Sequence, residues 1–136
     1  MNIKRLEALA SYIEGLPHEP SLEKGHKGQF NMAWIVFDCG APACLASHAQ
    51  VLFSGDIRSR SIIAGLKFAQ ELLDLTETQR QQLLAPTYRL TYNIELDKIT
   101  PKQAAQAIRR LITGEEEIWA GLKPMDTHDE GSPPNA

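Results

Sequence analysis

Ile3, Leu6, Leu9, Ala10, Ile13 and Leu16 recur at three- and four-residue steps, which puts them on one stripe of a helix spanning about residues 2–16. The same step returns in Ile62, Ile63, Leu66, Ala69, Leu72 and Leu73, within a helix predicted over 59–73, and again in Ala104, Ala105, Ala107, Ile108, Leu111 and Ile112. A short helix with one apolar stripe holds together in water only when another element covers that stripe. Repeated stripes therefore require helices that cover one another. They predict a mainly α fold over residues 1–122: a compact single-domain bundle of about five to six short helices.

Local signals place the ends of these helices. Thr76 with Gln79, and Thr100 with Gln103, have the spacing at which a hydroxyl and an amide side chain each satisfy a free backbone group at a helix start. The first predicts a short helix to residue 85 with Pro86 just beyond, and the second, with Pro101 in first helical position, predicts a helix that Gly114 closes. Pro17 ends the first helix, and 17–29 reads as a solvated loop holding His18 and His26. Pro42 predicts a helix beginning near Ala41 and stopped by Gly55, and "FNMAWIVF" is assigned a short helix ahead of it. "EEEIWAGL" predicts a last helix, its acidic residues favouring the N-terminal end and Ile118, Trp119 and Leu122 docking on the body. Tyr88, Leu90, Tyr92, Ile94 and Leu96 alternate at period two, which predicts one short extended segment near 88–96 with no partner strand in the sequence. Residues 123–136, with three prolines and little apolar content, predict a disordered tail.

Charge and composition narrow the classes of function. A formal net charge of -3 and an acidic balance argue against nucleic acid as a partner, since that affinity comes mainly from Lys and Arg displacing counterions from phosphates. No apolar run approaches the ~20 residues a membrane span needs, and the charged first stripe does not resemble an export signal, so a cytoplasmic setting without membrane contact is expected. There is no phosphate-binding glycine loop, no dinucleotide fingerprint and no zinc-protease motif, and no cofactor or metal is called for.

The segment "FDCGAPACLASHA" holds both cysteines. Cys44 and His48 are one helical turn apart, a spacing that can offer two metal ligands, and Cys39 lies near an expected helix start, where thiols are activated. Cys39, Cys44 and His48 thus form a candidate thiol or metal site. The competing reading is structural: free cysteine is among the most buried residue types, and small residues flank Cys44, as in a close-packed core helix. A thiol enzyme also needs a base, and His48, nine residues from Cys39, lies about 13 Å along a shared helix axis. The structural reading is preferred, with all three side chains expected in the interior and no catalytic residue assigned. Arg58, Arg60 and Lys67 form a candidate interaction patch.

Four motifs in order, "NMAW", "CGAPACLASHA", "LLDLTETQRQQLLAP" and "ITPKQAAQAIRRLITGEEEIW", span residues 31–119. Together they resemble a group of small bacterial and phage-associated proteins with the pattern CGT-x-ACIAGWA or GHA, then LGLT-x-x-Q, then ITP-x-x-AA and TGE-x-x-W. Ala41 stands where threonine is usual, Ser47 where glycine is usual, and Leu84-Ala85 where Leu-Phe is usual. The resemblance implies a small helical fold in a prokaryotic or phage setting and carries no activity, cofactor or catalytic residue. "FDCG" separately looks like the start of the catalytic helix in papain-like peptidases, over four residues only. The expected function is a non-enzymatic protein-interaction module acting on an unidentified protein partner, for example as a mobile-element inhibitor of a host defence complex. A thiol-dependent enzyme or redox site is the alternative.

Overall fold

The computed structural model describes residues 1–86 and 96–120. Among the described residues five α-helices follow one another: α1 (Ile3–Glu14), α2 (Leu45–Ser54), α3 (Ile62–Leu73), α4 (Glu77–Leu84) and α5 (Pro101–Ile112), with a 3-10 turn at Leu96–Lys98 before the last. No strand occurs among the described residues, so the chain has the expected mainly α architecture. The predicted extended segment, apart from Leu96, and the predicted tail lie outside the described residues.

The helix starts form where their side chains dictate. Asn2 caps α1 by accepting from the Arg5 N–H at 3.0 Å. At α4 and α5 both reciprocal capping bonds are made: Thr76 and Thr100 accept from the Gln79 and Gln103 N–H groups, whose side chains accept in return. Pro101 sits in the first turn of α5, where its missing N–H costs nothing.

One continuous core joins all five helices. Leu6, Leu9, Ala10 and Ile13 of α1 face Ala104, Ala105, Ala107 and Ile108 of α5, and the alanines let these two helices pack closely along their length. Across this pair, Arg109 donates two hydrogen bonds to the Glu14 carboxylate, each 3.0 Å. That guanidinium holds the Glu14 carboxyl below its usual range. The second strong pair is α2 against α3.

Two predicted helices are absent from the described residues. "FNMAWIVF" belongs to an irregular connector between α1 and α2, because its backbone groups are taken by partners outside the segment: Phe30 N–H donates to Pro17 O, Asn31 N–H to Ala43 O, and Phe37 N–H to Ala41 O. Those same bonds delay α2. Pro42 pairs with Val36 in an isolated antiparallel bridge, and Cys44, in extended conformation, is the N-cap. At the other end, residues 115–120 are not helical, with a turn at 118–120. Arg110 donates to the Ile118 and Ala120 carbonyls, which holds the chain in a tight turn that seats Trp119, and its indole N–H donates to Gln82 O at the end of α4. Gln82 O is one of the carbonyls that a helix C-terminus leaves without an internal partner.

Candidate functional site

Between the connector and helices α3 and α4 lies a groove of about 820 Å³. Trp34, Ile35 and Val36 line it from the connector, Leu66 from α3 and Leu84 from α4. Phe37 is nearly fully buried beside it, with its ring tilted against Trp34 at 6.5 Å between centroids. Ile62 and Ile63 of the first turn of α3 stand at its edge, 66% and 72% exposed. Their expected place was the buried stripe. Adjacent apolar residues can share a buried face, as Leu9 and Ala10 do in α1, but the first turn of α3 leaves both isoleucines on the rim.

The rim carries charge. Arg60, Lys67 and Arg80 line the groove with one acid, Asp38. Arg80 donates to the Gln70 side-chain oxygen at 2.9 Å, whereas Arg60 and Lys67 have no hydrogen bond or ion pair among the described residues. Arg60 lies against Gly40, where a side-chain Cβ would sit 3.1 Å from its Nη2.

Of the candidate patch, Arg60 and Lys67 reach the groove, while Arg58 turns its guanidinium over the Phe68 ring at 5.3 Å. Gln50, buried in α2, shapes the segment that presents them. Its side-chain oxygen accepts from both the Arg58 and Ser59 N–H groups, and its amide donates to Ser59 O. The sequence singles out neither Gln50 nor Arg80, because each acts through a partner in another element.

The three residues of the thiol or metal candidate part company. Cys39 is exposed in the connector, contrary to the expected interior position, and its thiol donates to Gly25 O at 3.2 Å. Cys44 is buried against the groove, and burial raises its thiol pKa, partly offset by hydrogen bonds around Ser47. His48 is fully buried and donates Nε2–H to Gln29 O at 2.8 Å, with its ring stacked on Phe30 and tilted against Tyr12. Burial lowers its pKa to about 4, against the raising effect of the Gln29 carbonyl. It is neutral near pH 7, and Nδ1 has no hydrogen-bond partner. The groove receives Cys44 but not His48. No group of three or more His, Cys, Asp or Glu side chains able to hold a metal ion occurs among the described residues.

No family model, curated protein or solved structure matches the chain. No helix among the described residues is long and apolar enough to cross a membrane. The groove's geometry is therefore the basis for assigning a role.

Proposed function

We propose that this protein is a non-enzymatic interaction module that seats an apolar segment of a partner protein in the groove between the connector and α3. The observation that carries this reading is the pair Ile62 and Ile63, exposed on the rim of an apolar recess. Large aliphatic side chains left in water beside a recess lined by Trp34, Ile35 and Leu66 form a contiguous surface, and such surfaces mark sites of association. Small-molecule pockets enclose most of their ligand, whereas this apolar surface continues outward past the cavity. A side chain of the partner would fill the recess while its backbone lies over the two isoleucines. The acidic balance of the chain and its resemblance to small bacterial and phage-associated proteins support a partner inside a prokaryotic cell, a host defence complex among them.

The thiol alternative rests on Cys39, the one exposed cysteine, whose sulfur is engaged by Gly25 while His48 is occupied elsewhere.

A photo-crosslinking residue at position 63, with a control at the exposed Gln106 of α5, tests the docking reading in bacterial extract. A discrete protein adduct from position 63 and none from position 106 is the expected result. Equal labelling from both, or none from either, would defeat it.

A further inference from the structure

We infer that the segment recognised by this groove is acidic as well as apolar, an extension that rests on the groove being a docking surface. The chain as a whole carries a formal charge of -3, yet three cations and a single acid line the recess. Local charge therefore runs against the global sign. Arg60 and Lys67 make no ion pair among the described residues, and Arg80 spends one N–H on neutral Gln70. Unpaired cations beside an apolar recess raise the local potential, which attracts an acidic partner and repels a basic one.

The two parts of the surface divide the work. An aromatic or leucine side chain entering between Trp34 and Leu66 loses contact with water and supplies most of the affinity, as buried anchors do at protein interfaces. Carboxylates flanking that anchor meet Arg60 and Lys67 at the rim, where screened charges act mainly on association rate and selectivity. A small carboxylate amphiphile could satisfy the same charges, but it would leave Ile62 and Ile63 exposed.

The test uses the full chain and three fluorescent peptides of about 16 residues with the same leucine face and glutamate, glutamine or lysine on the other face. Anisotropy is measured at about 50 and 300 mM salt. The expected result is binding of the glutamate peptide about tenfold tighter than the lysine peptide, weakened by salt, with the preference reversed in the Arg60→Glu/Lys67→Glu double variant. Equal binding of all three, lost in Ile63→Asp, overturns acidic selectivity and leaves the docking surface standing. Binding of none defeats both. Saturable binding of dodecanoate that ignores Ile63→Asp would overturn the peptide in favour of a small carboxylate. In the free protein, a zero-length carbodiimide cross-link from Lys67 to an acid at 126–130 would put the chain's own C-terminal segment in the groove, and one between two chains would put a second copy there; either overturns an external partner.

Discussion

His48 and Gln29 are joined by a 2.8 Å hydrogen bond from the imidazole Nε2–H to the backbone carbonyl, tying the first turn of α2 to the connector. The other ring nitrogen is buried without a partner, so a proton there would place a charge in the core. The folded-state pKa, about 4, lies below the unfolded value of 6.5. Stability from neutral His48 is fully present above about pH 6.5 and is lost as pH falls toward 4, because the unfolded chain then binds the proton more readily. Urea unfolding at about pH 7.5 and pH 5 should differ by about 2 kcal/mol from this residue. His48→Gln should abolish that difference, whatever it does to stability itself.

Gln50 should matter well beyond its own volume. Gln50→Leu deprives the Arg58 and Ser59 N–H groups of their acceptor, and each unpaired backbone group costs about 1–3 kcal/mol if it stays out of water. Denaturant unfolding should show a loss in that range, and amide hydrogen exchange at 58 and 59 should accelerate. Unchanged protection at those two amides would contradict the assigned role.

Gly25 has no room for a side chain. A Cβ there would collide with the Phe37 ring, which is itself nearly fully buried. Gly25→Ala should lower stability by about 1–3 kcal/mol, read as a fall in thermal midpoint. Phe37→Leu in the same chain should recover part of the loss.

The α5 cap is separable from the groove. Thr100→Ala removes the acceptor for the Gln103 N–H and should cost about 1 kcal/mol in chemical unfolding. Thr100→Ser keeps the hydroxyl and should lose much less.

Thiol accessibility should split the two cysteines. Cys39 is exposed and Cys44 is buried with its pKa raised by desolvation. A disulfide reagent near pH 8 should titrate one thiol in the native protein and the second only after denaturation. Rapid reaction of Cys44 would show that the base of the groove opens to solvent.

Much of the helical framework could be read directly from the residues. The stripe Leu6, Leu9, Ala10, Ile13 and the capping pairs Thr76–Gln79 and Thr100–Gln103 act over one or two turns, so their geometry follows from spacing alone. The connector could not be read that way. Whether residues 30–37 coil or extend depends on Pro17 and Ala43, which hold the amides of Phe30 and Asn31. Those pairings also displaced Pro42 from the helix start and made Cys44 the cap. Burial behaved the same way: periodicity marks Ile62 and Ile63 as apolar, but only the packing of α3 against α2 and the connector leaves them at the rim of the groove. Short-range hydrogen-bonding geometry fixes where a helix begins, whereas exposure, neutral His48 and the cationic rim depend on which remote surfaces come to lie beside one another.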